Sequence, residues 1–473
     1  MTVITPDGLV ERHVPFTGDG TATTAALCAG SDEPHVLYEN QGAVSWAEGE
    51  LAVVTVRSDG VTFAGQGVRG EHDGGAGTAA HPLAVAGHAL DVLARGNWRA
   101  YGWVGFELAH ARNGSRAVPP TGEPPVLARF TLPRLEIRID GRTALLRACD
   151  SRELDALERR MVAAAGGLAG PGVRHPETGA ARVPVDLAGH GAARYRSAVR
   201  RAVREIRAGR LDKVILSRAV PVSGEIDLAA TYLTGRRAHE PARSFLLRQG
   251  GWEAAGFSPE IVVRVGGDGT ARTQPLAGTR ALEGDRNADL ALRAELYRDA
   301  KEVYEHAISV RLAQDELGTV CAPGTVSTGD FMSVKERGSV QHLASELSGR
   351  LRPGATCWDA LDALFPAVTA SGIPKDAACA LIRRTEPEPR GLYSGTVLTV
   401  GADGSMDAAL VLRSVFRREG RTWLRAGAGI VAQSDPEREL EETREKLRAI
   451  GEHLVPAAAG PVPEAEHAGR AAS

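Results

Sequence analysis

Cysteine, aromatic residues and net charge are all scarce in this chain, and each scarcity excludes something. Its five cysteines, Cys28, Cys149, Cys321, Cys357 and Cys379, are odd in number, widely spaced and free of any CxxC pair. That pattern argues against a disulfide framework or a zinc site and fits a reducing cytoplasm. The formal charge is only −3 over 473 residues, with the basic residues dispersed. No electrostatic case exists for nucleic acid or an anionic membrane surface. No run of about 18 apolar residues occurs, and the opening MTVITPDGLVERH lacks a positive segment followed by an apolar one. The expectation is a soluble, unexported, cytoplasmic protein whose partner is a small molecule.

The length allows a sizeable core. From about 35 to 66, short β-rich runs broken by glycine and SDG-type turns predict one antiparallel meander. HPLAVAGHALDVLARG reads as a helix, AYGWVGFE as a strand, VLARFTLPRLEIRIDGRTALLRA as a hairpin and SRELDALERRMVAAAGG as another helix. The stretch 169–191 is rich in Gly, Pro and Ala and reads as a linker or long surface loop. Beyond it come the helix RYRSAVRRAVREIRAG, the strand DKVILSRAVPV, a hairpin turning at GGDG, and one long helix from about Ala288 to Leu317. The tail 456–473 is expected to be disordered. Long helices mixed with antiparallel hairpins, without regular βαβ units, predict an α+β protein.

The chemistry starts in the segment SDPERELEETREKL, which holds five glutamates. Ser434 or Asp435 can cap a helix there, and Pro436 suits its first turn. At about 100° per residue, Glu437, Glu441 and Glu445 fall on one side with Arg444 and Arg448. Leu440, Thr443, Leu447 and Ile450 form an apolar stripe, and Glu439, Glu442 and Lys446 lie along its edge. A solvated surface helix explains the first group; the second could border a cleft. KEVYEHAISV repeats the motif, with Glu302 and Glu305 three apart. Two such pairs facing each other would suit a hard divalent cation such as Mg²⁺. A di-iron site would instead want a histidine three residues after a glutamate, whereas His306 directly follows Glu305.

Other motifs lie between the two pairs. DKVILSR opens a β-branched strand with Lys213; GFSPE ends in Glu260; TQPLAGTR offers Ala277, Gly278 and Thr279. GSVQHL contains His342, FPAVTASGIPK contains Thr369 and Ser371, and GLYSG, VLRSVF and LRAGAGIV supply Tyr393, Arg413, Gly427 and Gly429. Singly, each has a structural explanation: an edge lysine, a turn glycine, a packed aromatic. Together they suit a small dianion, with a metal for one carboxylate, an arginine for another and close backbone approach at glycines.

In this order the motifs resemble the chorismate-utilising enzymes, most closely the siderophore-type salicylate synthases. The likeness is dense from about 193 to 455 and loose over the first 190 residues, where AYGWVGFE matches best. It implies a single large chorismate-binding fold, like that of anthranilate synthase component I, with two packed subdomains of antiparallel sheets and outer helices. Residues 1–190 would be its N-terminal part and 191–455 its catalytic part, so that 169–191 joins pieces of one unit. The loop FPAVTASGIPK resembles the salicylate-synthase form, not the TGAPK or PTPAVGG-like loops of the aminating enzymes and isochorismate synthases. Lys213 agrees with water addition, since aminating enzymes lack a lysine there.

What the resemblance implies is Mg²⁺-dependent conversion of chorismate to isochorismate, followed by loss of pyruvate to give salicylate. Lys213 would be the general base that activates water, and Glu260 the general acid that protonates the departing C4 hydroxyl. Glu305 and Glu442 would bind Mg²⁺, with Glu302 and Glu439 as further or water-mediated ligands. Arg413, Tyr393, Gly427 and Gly429 would hold the enolpyruvyl carboxylate, and Lys446 would add charge near the ring carboxylate. Thr279 and His342, against and near the ring, would join Lys213 and Glu260 as catalytic residues, and Gly278 and Thr369 would contact the substrate. A monomer without a glutaminase subunit is expected. The alternatives are an isochorismate synthase that releases its product and, further off, an aminating synthase.

Overall fold

The computed structural model describes residues 2–4, 9–65, 68–73, 81–94, 96–112, 124–167, 183–282, 284–337 and 340–457. Most of 169–191 and nearly all of the expected tail therefore lie outside the described residues. Among the described residues, two large antiparallel sheets, one of 12 strands and one of 11, carry helices on their outer faces, and a three-stranded sheet stands beside them. The chain is α+β, as its mixture of hairpins and long helices predicts.

Both large sheets draw strands from the two halves of the chain. In the larger, His35–Asn40 pairs with Arg243–Gln249. In the other, Arg99–Val104 pairs with Thr396–Gly401. Strand interiors are closed on both sides: Thr396–Gly401 is buried at every position, as expected where side chains from a second layer cover both faces.

Three local expectations are corrected. The 35–66 region is not one meander, because His35–Asn40 and Ala43–Glu48 form a hairpin in the larger sheet while Ala52–Arg57 and Gly60–Gly65 belong to the other. The chain changes sheets at Gly49, whose left-handed φ of +73° favours a residue without Cβ. Likewise Val126–Leu132 joins the second sheet, leaving Leu135–Asp140 and Thr143–Ala148 as the hairpin. The long helix is two, Arg286–Arg298 and Ala300–Val320, divided at Asp299. Asp299 keeps an extended ψ of 104° and its carboxylate accepts from the backbone N–H groups of Lys301 and Glu302, a helix start in mid-segment.

The elements that matter for function meet at one end of the larger sheet. Lys213–Pro221 runs antiparallel to Arg421–Ile430, with Ile215 opposite Gly429 and Ser217 opposite Gly427. The helix Ala192–Arg207 lays Tyr195, Val199, Ala202, Val203 and Ile206 against this pair, a 3–4 spacing that buries one stripe and leaves its arginines outside. The helix Pro436–Gly451 does the same with Leu440, Thr443, Leu447 and Ile450.

Candidate active site

Lys213 begins its strand and is 1% exposed, with Nζ 2.9 Å from Glu305 Oε1 and 3.0 Å from Ser309 Oγ. Burying an ammonium costs several kcal/mol unless it is paired and hydrogen-bonded, and both partners come from the helix Ala300–Val320. Glu260 follows the strand Trp252–Ser258 and is 4% exposed. Thr369 Oγ1 donates to Glu260 Oε1 at 2.7 Å. Burial pushes this carboxyl up to about 8, against the pull of the Thr369 hydroxyl and the Lys213 charge. At neutral pH Glu260 therefore carries a proton.

Lys213 and Glu260 border the same cavity, of about 100 Å³, together with Gly278, Thr279, His342, Thr369, Tyr393, Arg413, Gly427, Gly429 and Lys446. Glu302, Glu305 and Glu442 border it as well. Glu439, fully buried behind it, is tied in through Lys301. All the site residues expected from the sequence thus gather in one place. A larger cavity of about 550 Å³ opens elsewhere, but it contains neither the lysine–carboxyl pair nor the glutamate pairs. The smaller one is the candidate for chemistry.

Two glycines shape it. Gly278 adopts a φ of +75° and packs against Glu302, where an added Cβ would sit 3.2 Å from Oε2. At Gly429 a Cβ would lie 2.3 Å from Glu305 Oε1, so the bare backbone is what admits that carboxylate. Beyond Leu424 the strand Arg421–Ile430 no longer pairs with Ser414–Arg418, and Gly427 O accepts from Lys446 Nζ at 2.9 Å instead. His342 links the polar wall: Thr279 Oγ1 lies 3.0 Å from its Nδ1, and Arg413 donates to its Nε2 at 2.9 Å. With Nε2 accepting, the ring proton is assigned to Nδ1. Arg413 holds a left-handed φ of +48° in doing so.

The four glutamates are answered by cations of the chain itself. Lys446 lies 2.7 Å from Glu442, Lys301 lies 3.0 Å from Glu439, and Arg280 and Lys301 stand 3.8 and 3.9 Å from Glu302. Burial and the charge of Glu305 push Glu302 up to about 7. Burial and then Glu442 raise Glu439. For Glu305 burial is outweighed by Lys213, Lys301 and Lys446, and its carboxyl is held below the ordinary range. Among the described residues no three such side chains stand close enough to hold a metal as placed. The donor set nevertheless fits a hard cation: the ligands are all oxygen, the carboxylates crowd one another, and Glu439 Oε2 is buried without a partner. A divalent ion there would relieve the crowding that raises Glu302 and Glu439.

Sequence reading missed Lys301, Arg280, Ser309 and Arg425. Arg425 had a signal, since Arg425, Gly427 and Gly429 alternate onto one face of a strand. Lys301 had none, because its partner Glu439 is 138 residues away.

The sequence profile of the chorismate binding enzymes matches residues 33–452. A salicylate synthase of Mycolicibacterium paratuberculosis is 43% identical over 450 residues, which is 94% of this chain and 94% of that protein. An anthranilate synthase component 1 of Spirochaeta aurantia is 40% identical over 260 residues, 55% of this chain and 54% of its own. In three dimensions the chain resembles anthranilate synthase component I of Streptococcus pneumoniae, with a TM-score of 0.69 at 24% identity, covering 89% and 93% of the two chains. It also resembles the menaquinone-specific isochorismate synthase of Escherichia coli, with a TM-score of 0.66 at 23% identity over 94% and 95%. Those two likenesses show the fold alone; the profile match and the near full-length relative together place this chain in the chorismate binding enzyme family.

Proposed function

We propose that the protein is a magnesium-dependent salicylate synthase, acting on chorismate by way of isochorismate and yielding salicylate and pyruvate. The observation that carries this reading is the pairing of buried Lys213 with a proton-bearing Glu260 across one cavity. Near full-length similarity to a salicylate synthase supports it.

In the first step water adds at C2 of the ring and the C4 hydroxyl leaves. In its neutral amine form Lys213 takes the proton from the attacking water, and Glu260 delivers one to the departing oxygen, so that water is both consumed and released. An acid at about 8 is close to working pH, where proton transfer is most effective. Thr369 orients the Glu260 carboxyl by donating to its Oε1. Arg413 and Tyr393 would hold the enolpyruvyl carboxylate, and Lys446 the ring carboxylate. In the second step the C2 hydrogen passes to the methylene carbon of the side chain as the C–O bond breaks, which releases pyruvate and leaves an aromatic ring. Positioning accounts for most of what this step needs.

Glu302, Glu305, Glu439 and Glu442 would hold Mg²⁺, which when bound supplies positive charge to the ring carboxylate. The cavity of about 100 Å³ is small beside the ~300 Å³ at which ligand pockets begin. Among the described residues no helix is long and apolar enough to cross a membrane, and we place the enzyme in the cytoplasm as a monomer without a glutaminase subunit.

Incubation with chorismate and Mg²⁺, followed by product analysis, tests the reading. Salicylate and pyruvate in equal amounts are expected. Accumulation of isochorismate alone would make the protein an isochorismate synthase, and a requirement for ammonia would make it an aminating one.

A further inference from the structure

The cavity of about 550 Å³ lies where the strand Lys213–Pro221 loses its outer neighbour. That strand pairs with Gly372–Ile373 only at Lys213 and Val214. Further along, its outer edge is met by side chains: Arg390 Nη2 donates to Ile215 O at 2.8 Å, and Glu386 Oε1 accepts from Ser217 N at 2.8 Å.

Four arginines, Arg194, Arg218, Arg421 and Arg425, line this cavity against two carboxylates, Glu386 and Glu388. Glu386 is already committed, with Arg390 Nη2 at 2.6 Å and Arg425 Nη2 at 2.5 Å. Arg218 is 5% exposed and hydrogen-bonds only neutral groups: Thr443 Oγ1, His190 O and Leu187 O. A buried guanidinium with no carboxylate in hydrogen-bond contact, balanced only at a distance by Asp186 and Glu441, leaves a positive field around it. Arg421 stacks over Trp423 at 5.9 Å, and Pro221 and Pro387 continue the apolar wall beside that indole. Positive charge beside a flat apolar wall selects an organic anion whose body is planar.

We propose that this cavity is an effector site for a small aromatic carboxylate, read by the catalytic cavity through Arg425. Arg425 lines both cavities. Its guanidinium lies 5.6 Å from the Tyr393 ring, and its Nε donates to Ser217 Oγ at 2.9 Å. A carboxylate drawn into the larger cavity competes with Glu386 for Arg425 and so bears on Tyr393, which faces the other.

Titration calorimetry of the full chain with benzoate as probe tests this, and its outcome does not depend on whether the protein makes salicylate. The expected result is one binding event that survives Arg413→Ala. It should weaken by about tenfold or more in the double variant Arg194→Ala, Arg421→Ala, the scale of a lost charged contact. Arg194 and Arg421 are both exposed, so the fold is not at risk. Benzoate should also change turnover of chorismate by the wild-type chain and not by the double variant. Absence of binding, binding abolished by Arg413→Ala, or binding unaltered in the double variant each overturns the proposal.

Discussion

Thr369 Oγ1 donates a 2.7 Å hydrogen bond to Glu260 Oε1, and the acceptor is a carboxyl that burial pushes up to about 8. The hydroxyl stabilises the charged form, so it restrains that rise. Two consequences follow for pH. kcat/KM for chorismate should fall as pH passes through about 8, where Glu260 loses the proton it has to deliver. In Thr369→Val, which keeps the shape and removes the donor, the alkaline limb should move to higher pH. A limb that stays in place would make Thr369 only a part of the wall.

Glu260→Gln keeps size and polarity and cannot deliver a proton. Turnover should fall by ~10²–10⁴, the usual worth of a positioned acid, with binding of chorismate little changed. Stability should move the other way. The folded chain holds the proton up to about 8 and a free carboxyl only to its ordinary 4.5, so the folded state loses stability as pH rises across that window. Relative to wild type, the variant should gain melting temperature at pH 8 and show little gain at pH 4.5. Equal differences at both values would contradict the burial of a proton on Glu260.

Removal of Mg²⁺ by a chelator should abolish salicylate formation, and Glu305→Gln or Glu442→Gln should do nearly the same. Glu437→Gln is the control, because Glu437 is 66% exposed and pairs with Arg196 away from the cavity. Its effect should stay within about 0.5 kcal/mol on stability. Full activity of the Glu305 or Glu442 variant would reduce these carboxylates to partners for lysine.

Lys301 and an incoming metal compete for Glu439, whose second oxygen has no partner. Lys301→Met should therefore tighten binding of Mn²⁺, read by electron paramagnetic resonance, by about fivefold or more, the scale of a modest coupling energy. The metal-free variant should melt earlier than wild type, since a fully buried Glu439 has lost its counter-charge. Weaker Mn²⁺ binding would instead make Lys301 a support for the site.

Much of this was legible from local pattern. The i, i+3 spacing of Glu302 with Glu305 and of Glu439 with Glu442 reports a shared helix face whatever the fold, and strand alternation places Gly427 and Gly429 together. What could not be read is partnership at long range. Nothing in the run from His35 to Gly65 says that its first half pairs with Arg243–Gln249 and its second half joins another sheet. The break at Asp299 was visible in principle as an aspartate ahead of Lys301 and Glu302, but helix periodicity continues across it and hides the restart. The lysine pairing of the glutamates was largely hidden for the same reason: apart from the local pairs Lys446–Glu442 and Lys301–Glu302, each ion pair depends on tertiary packing.

Lys213 separates the two half-reactions. Water at neutral pH is a poor nucleophile, and its attack at C2 has to be timed with loss of the C4 hydroxyl, which asks for a base. Loss of pyruvate from isochorismate asks for none when the ring hydrogen moves directly to the side chain. Lys213→Ala should therefore lower chorismate turnover by ~10² or more, the cost of a missing base, while supplied isochorismate is converted with a much smaller loss. Some loss is expected there too, because Lys213 is the counter-charge of Glu305 at 2.9 Å and its removal leaves that carboxylate misdirected. The two substrates are followed in parallel by salicylate fluorescence with the same variant, Mg²⁺ and pH. Equal losses on both would mean that Lys213 acts by holding Glu305 and the field of the cavity, and the water-activating role would pass to another group.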